Sequence, residues 1–156
     1  MRILVISDSH GRSGRIEEAI EAQPQAKYVF FLGDRLQDID YLPELYPDRI
    51  FYSVPGNCDF SVFEPTTKTV TLGGKKILYT HGHEFSVKSG ISRLRSYAKN
   101  AGADIALYGH THLPQTLYED ETYIINPGSL GRGQEFCSYA VVDIETGGIM
   151  PVIIKI

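Results

Sequence analysis

The chain has 156 residues, 42% of them hydrophobic, which is enough for one domain with a core that stands without disulfides or a structural metal. Its 15 basic residues against 19 acidic ones leave a formal charge of −4, so it lacks the cationic surface that neutralises many phosphates, and a duplex nucleic-acid partner is disfavoured. Cys58 and Cys137 form neither a CxxC pair nor a secreted-type framework and read as reduced thiols of a cytoplasmic protein, while the opening apolar run is too short for a signal segment or a membrane span.

Ile3 to Ile6 is a short β-branched run suited to a strand buried on both faces. A helix is expected over Arg15 to Gln23, with Ile16, Ala19 and Ile20 on one face and Pro24 as the stop. Tyr28 to Leu32 is a second strand, Leu36 to Leu45 a helical stretch broken around Pro43, and Ile50 to Val54 a third strand, which completes a βαβαβ pattern. Thr67 to Leu72 and Lys76 to Tyr79 flank Gly73-Gly74 as a hairpin, and a helix from about Ser89 to Ala101 follows. Asp104 to Tyr108, Thr116 to Glu119, Thr122 to Ile125, Ser138 to Ile144 and Val152 to Ile156 are further strands. Such an order packs two sheets face to face with helices outside both, a four-layer αββα sandwich forming a single domain over residues 1–156.

Polar residues with metal-binding chemistry fall where strands end. Asp8 and His10 follow the first strand, Gly33-Asp34 the second and Gly56-Asn57 the third; His81 follows Tyr79, and His110 and His112 follow Tyr108. All five histidines, His83 included, sit at such exits, and ligands of open α/β sheets bind outside the carboxyl ends of strands. Each short motif alone also reads as a turn. Together, Asp8, His10, Asp34 and His112 can give one metal oxygen and nitrogen donors, while Asp34, Asn57, His81 and His110 can serve a second. Asp34 is the natural bridge, because a carboxylate has an oxygen for each of two cations. A thiolate-free mixture of carboxylate, amide and imidazole suits manganese, with iron, zinc or nickel as alternatives.

Asp8-x-His10, Gly33-Asp34, Gly56-Asn57, His81 and Gly109-His110-Thr111-His112, in this order, resemble the calcineurin-like metallophosphoesterase superfamily across almost the whole chain. Ser7-Asp8-Ser9-His10-Gly11, Gly56-Asn57-Cys58-Asp59 and Asn126-Pro127-Gly128-Ser129 are similar to its small bacterial and archaeal phosphodiesterase group. The resemblance implies the αββα fold, two divalent metal ions, the ligand assignment above and hydrolysis of small phosphate esters. Its expected mechanism is in-line attack on phosphorus by a metal-bridging hydroxide, with Asp34, Asn57, His81 and His83 as the catalytic subset.

One position departs from the broader family. Cys58 stands where many members have a histidine after Gly-Asn, which speaks against a protein phosphatase and leaves the proton donor open. Two readings stand for His83, a hydrogen-bonded support of the ligands or a proton donor. Arg12 reads as a phosphate contact or a solvated residue, Asn126 to Ser129 as a group near the metals or a turn, and Arg132 as a loop residue. A phosphomonoesterase and a non-catalytic metal-binding scaffold for partner proteins are the rival functions. No oligomeric state is readable, though a homo-oligomer is compatible with the sequence.

Overall fold

A computed structural model describes residues 1–60, 63–133 and 135–156. Strand β1 (Arg2–Ile6) lies at the centre of the first sheet, and its alternating side chains show why the run is apolar throughout. Ile3 and Val5 point into a core shared by both sheets, whereas Leu4 and Ile6 point to the opposite side, against Ile16, Ala19 and Ile20 of helix α1 (Ser13–Glu21). Period-two alternation with both faces covered produces this unbroken hydrophobicity. Burying each such Ile or Leu side chain contributes about 1.5–3 kcal/mol relative to exposure.

Strand β2 (Ala26–Phe31) and strand β3 (Ile50–Ser53) extend the sheet in parallel, linked by a single 3₁₀ turn at Leu36–Asp38 and the short helix α2 (Leu42–Leu45), with Pro43 in its first turn. The second sheet contains strands β4 (Thr67–Leu72), β5 (Lys75–Thr80), β6 (Ile105–Leu107), β7 (Gln115–Glu119) and β8 (Thr122–Asn126), in the order β4-β5-β6-β8-β7. Helix α3 (Ser92–Asn100) buries Leu94 and Ala98 against Leu78, Ala106 and Ile124 of this second sheet. Strands β9 (Ser138–Glu145) and β10 (Gly148–Lys155) then return to the first sheet, giving the order β10-β9-β1-β2-β3.

Ile3, Val5 and Phe30 of the first sheet pack with Ile77, Tyr79, Leu107 and Ile125 of the second in one core, so the two mixed sheets lie face to face between layers of helix. This is the expected four-layer αββα arrangement. Several expected elements differ in extent: the helix expected over Arg15 to Gln23 spans Ser13–Glu21, and the stretch from Leu36 to Leu45 breaks before Pro43, which lies in the first turn of α2. The helix expected from Ser89 is a 3₁₀ turn at Val87–Ser89 followed by α3, because Gly90 at φ 137° leaves the helical region between them. The last strand begins at Gly148, four residues before Val152, because Ile149 and Met150 continue the pairing with β9 across a tight turn.

The parallel strands β1, β2 and β3 share one direction, as do β5, β6 and β8 in the other sheet. Their carboxyl-end loops are tied across the sandwich: His81 Nδ1 lies 2.6 Å from the Leu32 carbonyl, and Gly131 N–H donates to the Asp8 carbonyl at 3.0 Å. Among the described residues no helix is long and apolar enough to cross a membrane.

Candidate metal centre

The loops bring six charged or imidazole side chains together in two groups that share one carboxylate. Asp8, His10, Asp34 and His112 form one group and Asp34, His81 and His110 the other, with the donor atoms of each group within 4.8 Å of one another. In the first, His112 Nε2 lies 3.2 Å from Asp8 Oδ1 and 3.2 Å from His10 Nε2, and His10 Nε2 lies 3.9 Å from Asp34 Oδ2. In the second, His81 Nε2 lies 3.4 Å from Asp34 Oδ1, 3.1 Å from His110 Nδ1 and 3.1 Å from Asn57 Oδ1. Asn57 thus joins the second group, and the two oxygens of Asp34 face different groups.

Hydrogen bonds away from the centre orient the donors. His81 donates its Nδ1 proton to the Leu32 carbonyl, and His112 donates its Nδ1 proton to the Arg132 carbonyl at 3.1 Å, so in each ring Nε2 is the nitrogen turned inward. Asp8 Oδ1 is buried with no hydrogen-bond partner among the described residues, while its Oδ2 accepts from His110 N–H at 3.1 Å.

The electrostatics favour a cation among these atoms. Burial opposes ionisation of Asp8, but the contact with His112 and the neighbouring imidazoles outweigh it and hold the carboxyl below its ordinary value. The Asp8 contact conversely raises His112, which marks the space between them as one that attracts positive charge. Burial, reinforced by His81 and Lys88, depresses His110 to about 4, so its imidazole is neutral near pH 7 with a lone pair to offer. Burial likewise lowers His10. An orphaned carboxylate oxygen facing inward-turned imidazole nitrogens fits divalent cations bound by nitrogen and oxygen.

The backbone is bent to achieve this convergence. Asp8, His10, Asp34, His110 and His112 all have positive φ, between 47° and 68°, a region that L-residues occupy at a cost of about 1 kcal/mol each. Glycines give the remaining room. A Cβ on Gly56 would sit 2.2 Å from Asp34 Oδ1, and one on Gly109 would sit 2.1 Å from Ser7 Oγ, so the Gly-Asn and Gly-His pairs are close-approach points as well as turns.

Several supporting residues carry no signal that spacing alone reveals. Asp59 accepts four backbone N–H groups, from Asp34 and Gly56 on Oδ2 and from Arg35 and Leu36 on Oδ1, at 2.7–2.9 Å. Asp38 accepts from Ser9 Oγ and Gly11 N–H, each at 2.7 Å, and so holds the loop that carries His10. Asn126 donates to the Gly109 carbonyl at 2.9 Å and Ser129 Oγ to the Asp8 carbonyl at 2.8 Å, giving the Asn126–Ser129 turn a bracing role for the loops that carry Asp8 and His110. Arg132 contributes its backbone carbonyl to His112. Arg12 is an exposed residue at the start of α1. The His83 ring centroid lies 5.4 Å from that of His81 and 6.1 Å from that of His110, beside the donors but outside both groups. Its Nδ1 is buried without a hydrogen-bond partner among the described residues.

Comparison with known proteins agrees with this architecture. Residues 1–147 match the model of the calcineurin-like phosphoesterase superfamily domain. The chain is 32% identical over 148 residues to the probable metallophosphoesterase YsnB of Bacillus subtilis strain 168, covering 93% of this chain and 85% of that protein. It is 32% identical over 168 residues to the phosphodiesterase YfcE of Escherichia coli K12, covering 92% and 88%. A solved structure from Streptococcus pneumoniae TIGR4, described as a conserved uncharacterized protein and predicted phosphoesterase, superposes with a TM-score of 0.83 at 33% identity, covering 99% of this chain and 88% of that one. The chain belongs to the calcineurin-like phosphoesterase superfamily, a family of hydrolases.

Proposed function

We propose that this protein is a phosphodiesterase acting on small molecules through a dinuclear metal centre, with Asp8, His10, Asp34 and His112 holding one ion and Asp34, Asn57, His81 and His110 the other. The observation that carries the reading is the meeting of two donor groups on the opposite oxygens of one carboxylate, Asp34. Two divalent cations there would supply the activation of water and the charge neutralisation needed for in-line displacement at phosphorus. The nitrogen and oxygen donors suit manganese, with iron, zinc or nickel as alternatives.

The residues themselves divide the work. Asp34 aligns the two halves, and His81 and His112 are locked in the required tautomer by carbonyls behind them. Asn57 is the exposed member of its group, so a substrate is expected to approach from its side. His83, beside His81 and His110, completes the catalytic subset as the imidazole closest to the centre without belonging to a donor group. The name of the E. coli relative, a phosphodiesterase, supports diesters over monoesters. Two free cysteines accord with a cytoplasmic setting.

The test is hydrolysis of bis(p-nitrophenyl) phosphate and p-nitrophenyl phosphate by metal-stripped protein reloaded separately with manganese, iron, zinc and nickel. The proposal expects metal-dependent turnover with the diester faster. A faster monoester identifies a phosphomonoesterase instead, and no turnover with any metal identifies a non-catalytic scaffold.

A further inference from the structure

Two concavities open beside the His110–His112 segment. The smaller, about 200 Å³, lies against His112, Leu113, Pro114, Glu135 and Phe136 and so carries a carboxylate. The larger, about 840 Å³, lies between Val87–Ile91 and Thr111–Gln115, and its wall includes Thr111, the residue between two of the proposed ligands. That volume lies in the range of small-molecule sites, roughly 300–1,000 Å³.

The charge in this groove is one-sided. Lys88 lines it, and among the described residues no carboxylate does. Lys88 is exposed and, like Lys27, Lys76 and Lys155, has no acidic partner within 4.0 Å among the described residues. Ser89, Thr111 and Gln115 add neutral hydrogen-bonding groups, and Val87 and Tyr108 an apolar floor. The lysine is carried by a turn anchored to the centre: Val87 is buried, its side chain lies against Gly82, and Gly82 directly follows His81.

We propose that this groove seats the alcohol portion of the ester and that Lys88 binds a second anionic group on it, so that the preferred substrates are phosphodiesters bearing a further phosphate or carboxylate. The inference rests on the phosphodiesterase reading above. An ester with only neutral arms leaves the lysine without a counter-charge, whereas a second anion at the reach of a flexible ammonium gains an ion pair beside a metal-held phosphate.

The experiment compares kcat/KM of the metal-loaded full chain on a p-nitrophenyl phosphodiester of thymidine with and without an added phosphate on the free sugar hydroxyl. Wild type is expected to prefer the doubly phosphorylated compound by about five-fold or more, in line with a partly solvated charge pair. Lys88→Met is expected to bring that ratio close to one and Lys88→Glu to invert it, while Lys99→Met retains it. Calorimetric binding of thymidine bisphosphate against thymidine monophosphate should follow the same order in each protein. A wild-type ratio of one, or a preference that survives Lys88→Met, overturns the proposal. If wild type hydrolyses neither compound, the phosphodiesterase reading falls, and the calorimetry decides the anion site: equal binding of the two nucleotides overturns it as well.

Discussion

Cys58 sits against the proposed bridging residue, since its backbone N–H donates to Asp34 Oδ1 at 2.9 Å. Burial and the charge of Asp34 raise the thiol above its ordinary value, so it remains protonated near neutrality, yet a thiol is a weak hydrogen-bond donor. Many relatives in the broader family are expected to carry a histidine here. General acid catalysis is worth about 10²–10⁴-fold, and its absence weighs most on poor leaving groups. Log rate should therefore fall steeply as leaving-group pKa rises across a series of aryl and alkyl diesters. Cys58→His should flatten that slope at equal metal occupancy. Equal slopes would assign the proton to another source, with His83 the nearest remaining imidazole outside the donor groups.

At the scale of elements, the proposed ligands are arranged by loops that depend on one another. Asp59 shows this most clearly, because one carboxylate gathers two donors on each oxygen from the Asp34 and Asn57 loops. Asp59→Asn replaces one oxygen with an NH₂ group and leaves two backbone donors unpaired. Chemical denaturation should register a loss of about 2 kcal/mol, and metal affinity should fall with it. An unchanged midpoint together with unchanged metal affinity would show that the loops hold themselves. This residue also marks where reading the sequence stops. The apolar alternation of Ile3–Ile6 and Tyr28–Leu32 and the histidines at strand exits were legible, because periodicity and strand ends are local properties. The four-donor grip of Asp59, the bracing by Asn126 and Ser129, and the positive φ of five proposed ligand residues are products of distant loops meeting, and no local pattern encodes them. The return of β9 and β10 to pair beside β1 is non-local in the same way.

The whole molecule joins two sheets, and its stability should respond to pH through groups far from the centre. Asp104, just before β6, accepts from Lys76 N–H at 2.8 Å and from the Lys75 ammonium at 3.1 Å. Burial opposes its ionisation, but these donors outweigh burial and hold its pKa below the ordinary carboxylate value. A depressed folded-state pKa gives stability that is present in full above the unfolded value, about 3.9, and is lost as pH falls through the folded one. Asp104→Asn should therefore destabilise the protein at pH 7 and approach wild type as pH falls below the folded-state value. A difference in denaturation midpoint that is constant with pH would exclude this linkage.

The central claim, that Asp34 joins two metal sites, meets its most direct test in the metal stoichiometry of stripped wild-type and Asp34→Asn protein titrated with Mn²⁺, with bound metal counted by elemental analysis. The core shared by the two sheets contains buried side chains from both, so stripping should leave the far-UV circular dichroism largely unchanged. Wild type should take up two equivalents. Asp34→Asn has a single carbonyl oxygen in place of two carboxylate oxygens and should hold one equivalent or fewer, with diester hydrolysis reduced by about 100-fold or more. Saturation of wild type at one equivalent, or two equivalents and near-normal turnover in Asp34→Asn, would contradict the dinuclear assignment.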